Sequence, residues 1–307
     1  MIVLGIDTSN YTTSMAFFDG TAGQNCSRLL PVQAGALGLR QSDAVFSHLK
    51  QLPQIAQQLF SVCDGREIAA VGVSTRPRAV EGSYMPCFLA GESHASVLAS
   101  SRGVPLIRVS HQQGHIAAAL YSAGRLELLD QPHFAWHLSG GTTELLLVQP
   151  DAGNVRATRI GGTTDLAAGQ IIDRTGKFLG LAFPSGKALD ALAQSAVGDA
   201  HARIKLRTCS FSLSGLENKM HDYAASGAVP EALARYVLYS IADAVKHATE
   251  AALQQYPGLP VVFSGGVASN SLLRQICAPL QPVFAAPQYS TDNAMGVAVL
   301  AWRLQHR

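Results

Sequence analysis

Residues 2–20, IVLGIDTSNYTTSMAFFDG, hold the pattern that decides the fold class. An apolar, β-branched run is followed by a turn of Ser, Thr and Asn residues and by a second apolar run, which predicts two strands joined in a hairpin. The same arrangement returns at residues 134–149, FAWHLSGGTTELLLVQ, around an SGGTT turn. Two such hairpins, one opening each half of the chain, suggest duplicated lobes that face each other across a cleft. Many α/β proteins contain two hairpins without duplication, so the pattern alone leaves both interpretations open.

Helical patterns alternate with strand patterns along the rest of the chain, which predicts an α/β fold. A buried strand over residues 68–77 ends in a loop, and the final helix is entered through a Thr-Asp-Asn cap at residues 291–293. The predicted helical segments are residues 43–63, 91–103, 165–180 and 230–256, and the segment from residue 289 to the end.

The composition excludes several classes of protein. The 307 residues are 48% hydrophobic and 14% charged, with a net charge of +2. So small a charge does not imply a nucleic-acid-binding protein, although a local basic patch remains compatible with one. Five scattered cysteines without a C-x-x-C motif indicate reduced thiols in a cytoplasmic protein. The first residues lack the basic region of a signal peptide, and no stretch of about 18 uncharged apolar residues predicts a membrane span.

Residues 110–120, SHQQGHIAAAL, place two histidines four positions apart. In a helix His111 and His115 lie on one face about one turn apart, within reach of a single metal ion. The spacing alone does not decide between metal ligands and two histidines that pack and hydrogen-bond within the structure.

Two glycine pairs follow apolar runs, in SGGTT at residues 139–143 and in SGGV at residues 264–267. Paired glycines permit positive φ angles and let backbone N–H groups approach a phosphate. Neither segment is a Walker A or G-x-G-x-x-G loop, and strand-end turns also need glycine. Two such turns at corresponding strand ends favour a nucleotide site.

Seven motifs occur along nearly the whole chain in an order that resembles the tRNA threonylcarbamoyladenosine synthase family, bacterial TsaD and its relatives, once misnamed glycoproteases. The motifs are GIDTS (5–9), HQQGH (111–115), LSGGTTEL (138–145), AAGQIIDRTGKFLGLAFPSGKALD (167–190), SFSLSGL (210–216), SGGVASNSLLR (264–274) and TDNAMGVA (291–298). The resemblance implies an actin-like, sugar-kinase-type α/β fold with two lobes that contain mixed sheets. We expect an N-terminal lobe over residues 1–128, completed by a C-terminal helix at 292–307, and a C-terminal lobe over residues 129–291.

The resemblance also implies the site residues. One divalent transition metal, iron or zinc, is bound in the family by the histidines of an H-x-E-G-H helix and the aspartate of a TDN motif, which are His111, His115 and Asp292 here. Two imidazoles and a carboxylate leave open positions, as catalytic metal sites do. The threonylcarbamoyl-AMP substrate is expected at Ser139, Gly140, Gly141, Thr142, Thr143, Asp173, Gly186, Asp190 and Asn270.

Five departures from the family pattern indicate a divergent paralogue. Tyr11 and Thr12 replace an acidic pair, Gln113 replaces the Glu between the histidines, and SGGHT has become SGGTT at Thr142. Leu166 replaces the second of two aspartates. Residues 78–100, which stand for the family's glycine-rich loop and the lysine-bearing helix after it, contain no lysine. With Gln113 between the histidines, the motif is not the H-E-x-x-H of a metalloprotease, which argues against peptidase activity.

The leading hypothesis is a transferase that moves the threonylcarbamoyl group from its adenylate to adenosine next to the anticodon of tRNA. The resemblance implies a TsaB-like dimerisation partner and an ATPase helper, with no membrane involved. For contact with tRNA the sequence offers Arg203, Lys205 and Arg207, although alternating cations also occur on a solvated strand. The alternatives are a transferase with a changed acceptor, a non-catalytic scaffold partner of the synthase, and a kinase-like ATPase. The retained His111, His115 and Asp292 argue against the scaffold. The ATPase is weakened because the first hairpin offers no Mg-binding carboxylate pair beyond Asp7.

Overall fold

The computed structural model describes residues 1–31, 40–63, 67–289 and 294–306. The chain folds into two compact units. The first comprises Met1–Gln131, Gln149–Ala157 and Gln288–Arg307, and the second comprises Pro132–Val148 and Thr158–Pro287. Within the described residues, no helix is long and apolar enough to cross a membrane.

A mixed sheet forms the centre of the first unit, in the strand order β3-β2-β1-β4-β5. The first three strands are antiparallel, whereas β1, β4 and β5 run parallel to one another. The strands are β1 (Ile2–Thr8), β2 (Thr12–Phe18), β3 (Gly23–Leu29), β4 (Ile68–Arg76) and β5 (Leu106–Ser110).

Both faces of this sheet are covered, which explains why β1 is buried along its whole length. Ile2, Leu4 and Ile6 pack with helices α1 (Gln41–Phe60) and α2 (Phe88–Arg102). On the opposite face, Val3 packs with Ala301 of the last helix, α9 (Met295–Gln305). The expected cap of α9 at residues 291–293 lies outside the described residues.

Glycines let α9 approach its neighbours closely. A Cβ on Gly5 of β1 would lie 2.6 Å from the backbone nitrogen of Ala298. A Cβ on Gly296 would lie 1.8 Å from the carbonyl oxygen of Gly114, in helix α3 (His111–Ser122). The two helices are therefore in backbone contact, and α9 holds α3 in place.

The second unit contains a mixed sheet in the order β12-β11-β6-β7-β8-β10-β9. Its strands are β6 (His133–Leu138), β7 (Thr143–Asp151), β8 (Asn154–Thr163), β9 (Leu206–Arg207), β10 (Ser210–Phe211), β11 (Val261–Ser264) and β12 (Val283–Phe284). The adjoining ends of β7 and β8, within Gln149–Ala157, belong to the first unit. The predicted hairpins are confirmed, since β1 pairs with β2 and β6 pairs with β7 in antiparallel register.

Five helices pack with this second sheet, and the long α7 contributes most to the core. They are α4 (Ala168–Phe178), α5 (Gly186–Gln194), α6 (Ser214–Ala225), α7 (Pro230–Gln255) and α8 (Ser271–Cys277). Trp136 of β6 is fully buried, and its Nε1 donates to Oγ1 of Thr249 in α7 at 2.8 Å. This bond satisfies the one polar group of the largest core side chain.

Candidate functional site

The histidine pair lies at the start of α3, where a capping box fixes the helix. Oγ of Ser110 accepts from the backbone N–H of Gln113 at 3.3 Å, and Oε1 of Gln113 accepts from the backbone N–H of Ser110 at 2.9 Å. The helix therefore begins at His111, and His115 lies one turn further along the same face. The two Nε2 atoms are 2.9 Å apart.

Three parallel strands end beside this pair. Strand β1 ends beside β4 with Ile6 opposite Val73, so that the next residues, Asp7 and Ser74, lie side by side. Strand β5 leads directly into His111. Nδ1 of His111 lies 2.9 Å from Oδ1 of Asp7, which also accepts from Oγ of Ser74. The carboxyl ends of parallel strands commonly hold the ligand site of an α/β sheet.

The donor groups fit a transition metal. A carboxylate can only accept, so the contact with Asp7 places the proton of neutral His111 on Nδ1 and leaves the Nε2 lone pair facing His115. A metal-binding imidazole usually donates its other ring N–H to a carboxylate or carbonyl oxygen in this way. Asp292 lies outside the described residues, within which no group of three or more His, Cys, Asp or Glu side chains forms a metal cluster.

Gln113 has a structural role that explains one of the departures. Besides capping the helix, its side chain donates from Nε2 to the carbonyl oxygen of Val155 at 2.7 Å. A glutamate could not donate this bond unless it were protonated. The amide is therefore fitted to its surroundings and is turned away from the histidines.

A buried polar network supports the turn between β1 and β2, where this chain lacks the acidic pair of the family. Nδ1 of His48 in α1 lies 2.8 Å from Oγ1 of Thr13, and its Nε2 lies 2.8 Å from the carbonyl oxygen of Ser9. Burial lowers the pKa of His48. Tyr11 is half exposed, whereas Thr12 is buried. Sequence reasoning missed His48 because its partners are 35 and 39 positions away.

In the second unit, the two glycine turns follow neighbouring parallel strands. Ser264 pairs with His137, so β6 and β11 end together. A Cβ on Gly265 would lie 2.2 Å from the carbonyl oxygen of Leu138, and its φ is 93°. Gly265 uses the positive φ that glycine permits, whereas the other three glycines, at positions 140, 141 and 266, do not. A Cβ on any of those three would meet nothing within 4 Å, so they leave open space beside the backbone.

The SGGTT turn also contacts the start of α4. The backbone N–H of Ser139 donates to the carbonyl oxygen of Thr142 at 2.8 Å, which closes the turn. Oγ1 of Thr143 accepts from the N–H of Ala168 at 2.8 Å. A Cβ on Gly169 would lie 2.5 Å from Cα of Gly140. The turn and the first residues of α4 are thus held in direct contact.

The remaining predicted residues lie on α4, α5 and α8. Oδ1 of Asp173 accepts from the N–H of Ser185 at 2.8 Å, immediately before Gly186. Oδ1 of Asp190 accepts from Nδ2 of Asn270 at 2.8 Å. Asn270 in turn caps the seven-residue helix α8 through its Oδ1. Asp190 and Asn270 therefore form one pair, and Asp173 is joined to the start of α5.

Asp165 organises the SFSLSG segment. It accepts from the backbone N–H of Leu213 at 2.8 Å and of Ser214 at 3.3 Å, where α6 begins. Desolvation raises its pKa, but hydrogen bonds from Ser212, Leu213, Ser214 and Leu166 outweigh that effect and hold the pKa well below its usual range.

Comparison with known proteins assigns the family. Residues 38–299 match the family model TsaD, described as tRNA N6-adenosine threonylcarbamoyltransferase. The chain belongs to the TsaD family. A TsaD-family relative from Granulibacter bethesdensis, named tRNA N6-adenosine threonylcarbamoyltransferase, is 32% identical, and the alignment covers 99% of this chain and 88% of that protein.

Solved structures confirm the predicted fold class for this TsaD-family chain. Full-length HypF superposes with a TM-score of 0.63 at 13% identity, over 99% of this chain and 46% of HypF. The chain thus spans about half the length of HypF. A ROK hexokinase from Thermus thermophilus superposes with a TM-score of 0.55 at 13% identity, over 98% of both chains. At these identities the likeness shows the fold alone, of the actin-like and sugar-kinase type.

Proposed function

We propose that this TsaD-family protein transfers the threonylcarbamoyl group from threonylcarbamoyl-AMP to the exocyclic amine of adenosine next to the anticodon of tRNA. The observation that carries the proposal is the converging pair of Nε2 atoms on His111 and His115, in a chain whose family is named for this transferase. In the reaction the amine nitrogen attacks the carbamoyl carbonyl carbon, the bond from that carbon to the phosphate oxygen breaks, and AMP leaves. The amine loses one proton.

A divalent metal, iron or zinc, would be held by His111 and His115, with Asp292 as the third ligand. When bound, such a metal polarises the carbonyl that is attacked and orients the substrate oxygens. The chain's own contribution is to fix the imidazoles, through the cap of α3 and the contact between Asp7 and His111.

The adenylate would bind through the second unit. The open space beside Gly140, Gly141 and Gly266 allows backbone N–H groups to meet the phosphate. Two contacts among the predicted residues support the adenosine position, since Asp190 contacts Asn270, and Asp173 contacts the residue before Gly186. Ser139, Thr142 and Thr143 would complete the phosphate side of this site.

Two surfaces would serve macromolecular partners in the cytoplasm. Ile204 and Leu206 pack against the core, while Arg203, Lys205 and Arg207 are exposed, an arrangement suited to tRNA phosphates. Exposed apolar side chains on α1 and α2 suit a TsaB-like protein partner. An ATPase helper would be a further protein partner in the modification of tRNA. These apolar residues are Phe46, Leu49, Leu89 and Val97.

A non-catalytic scaffold is the second candidate, because Gln113 and Tyr11 stand where the family carries carboxylates. Metal analysis of the purified protein, combined with an assay on unmodified tRNA, distinguishes the two. An enzyme retains metal and forms threonylcarbamoyladenosine, more slowly than an orthodox relative. A scaffold increases the rate of another synthase but forms none itself.

A further inference from the structure

We infer that Asp7 is the positioning residue of the histidine pair, and that its buried negative charge is matched by the cation bound there. The inference rests on the metal site of the proposed function. It adds to that function a residue that no motif of the metal site contains.

The two carboxylate oxygens of Asp7 differ in their contacts. Its side chain is fully buried at the end of β1. Oδ1 accepts from Ser74 and from Nδ1 of His111, whereas Oδ2 is buried and has no hydrogen-bond partner among the described residues. An unsatisfied buried carboxylate oxygen is rare in folded proteins and calls for an ion, a water or a function.

The bond to His111 gives this carboxylate a defined task. It keeps the proton on Nδ1 and fixes the plane of the ring, so that the Nε2 lone pair faces Nε2 of His115. A negative charge behind the imidazole also makes Nε2 a stronger donor to a cation. Ser74 holds the carboxylate in place, because it donates to the same oxygen.

The negative charge of Asp7 affects the stability of the folded protein differently with and without a bound metal. Without a cation, the buried carboxylate has only a hydroxyl and an imidazole N–H to offset its desolvation, which destabilises the folded protein. With a cation at the histidine pair, the same charge is compensated. A merely structural aspartate would stabilise the protein whether or not metal is present.

The variant Asp7→Asn separates these roles. Its amide oxygen can still accept from Ser74 and His111, and its shape is the same, but it lacks the charge. The test measures Zn²⁺ affinity by competition with a chromophoric chelator, and measures the melting temperature with and without Zn²⁺. Asp43→Asn, at an exposed position of α1, is the matched control.

We expect Asp7→Asn to weaken Zn²⁺ binding about 10- to 100-fold, as loss of a group that orients a metal ligand does. Its metal-free melting temperature should equal or exceed that of the wild type, and the rise on adding Zn²⁺ should shrink. Unchanged affinity would overturn the inference, as would a lower metal-free melting temperature or a wild type that binds no metal. If the affinity falls as expected but the wild type does not modify tRNA, the proposed function fails and the role of Asp7 stands.

Discussion

At the scale of single residues, the histidine site depends on contacts between residues that are distant in the sequence. The spacing of His111 and His115 predicted one helix face, and the structure brings their Nε2 atoms to 2.9 Å. The role of Asp7 could not be predicted, because its contact joins residues 104 positions apart. The second bond of Gln113, to Val155, is hidden for the same reason. Local periodicity carries no information on such partners.

Replacing Gln113 with Glu should destabilise the protein rather than restore a lost catalytic group. The buried carboxylate of the glutamate would face the carbonyl oxygen of Val155. Because both oxygens only accept, the carbonyl of Val155 would lose the hydrogen bond that Nε2 of Gln113 donates. We expect a loss of about 1–3 kcal/mol in the free energy of unfolding, the usual effect of an unsatisfied buried group. Urea unfolding measures it, with Gln112→Glu as the control in the same turn. A Gln113→Glu protein as stable as the wild type would contradict this role.

Gly141→Val should reduce nucleotide binding without unfolding the protein. A Cβ at Gly141 meets nothing within 4 Å and the φ is not in the left-handed region, so valine fits the free protein but fills the space proposed for phosphate. AMP affinity measured by calorimetry should fall at least about 10-fold, since direct backbone contacts would be blocked. The matched control is Gly215→Ala, another open glycine position in the same unit. Unchanged AMP affinity in a folded variant would mean that the turn is only a strand end.

At the scale of elements, caps and close helix contacts decide where the functional side chains lie. Helices α1, α4 and α7 and the two hairpins follow from the patterns of apolar residues. The long-range cap of α6 by Asp165 does not, because the carboxylate precedes the helix by 48 and 49 positions. The close approach of α9 to α3 also does not follow from periodicity. It requires a glycine at position 296, because the backbone of α3, which is distant in sequence, lies against it.

Removing the cap with Asp165→Ala should lower the free energy of unfolding by about 0.5–2 kcal/mol near neutral pH. The loss of unfolding free energy should lie toward the lower end of this range, because the side chain of Asp165 is exposed to solvent. The pKa of Asp165 is lower in the folded than in the unfolded protein, so the carboxylate stabilises the fold above the unfolded pKa of about 4. That contribution begins to be lost as the pH falls below about 4 and is lost progressively as the pH approaches the lower pKa of the folded state. Unfolding from pH 7 to pH 3 measures the difference from wild type, and Asp199→Ala is the control. A difference that grows on acidification would contradict the assignment.

Gly296→Ala should loosen α3 and with it the histidine pair. The added methyl group would lie 1.8 Å from the carbonyl oxygen of Gly114, so one helix must move. We expect a destabilisation of about 1–3 kcal/mol, typical of overpacking, together with weaker Zn²⁺ binding. Thermal unfolding and the chelator assay measure the two effects. A stable variant with wild-type affinity would show that α9 does not position α3.

At the scale of the whole molecule, the order of the motifs along the chain predicted the fold class and the family, and both are confirmed. Composition could not reveal a partner, since a net charge of +2 is uninformative. The structure adds that three cations are exposed along one segment whose apolar residues face the core. Whether these cations bind tRNA depends on the shape and charge of the tRNA, and the protein sequence contains no information on either.

Lys205→Glu should weaken tRNA binding in a salt-dependent way. If Lys205 contacts a phosphate, the slope of log affinity against log salt should fall in magnitude by about 0.7–0.9. Filter binding over a range of salt concentrations measures this slope. Lys50→Glu, an exposed cation on α1 in the other unit, should leave the slope unchanged. Equal slopes for the wild type and both variants would mean that the segment is only a solvated strand.

The most direct test of the account is single-turnover transfer from threonylcarbamoyl-AMP to unmodified tRNA by the metal-loaded protein, with matched helper proteins. We expect threonylcarbamoyladenosine to form more slowly than with the Granulibacter relative, and not to form with His111→Ala. Binding of threonylcarbamoyl-AMP without any modified adenosine would contradict the account and identify the protein as a scaffold.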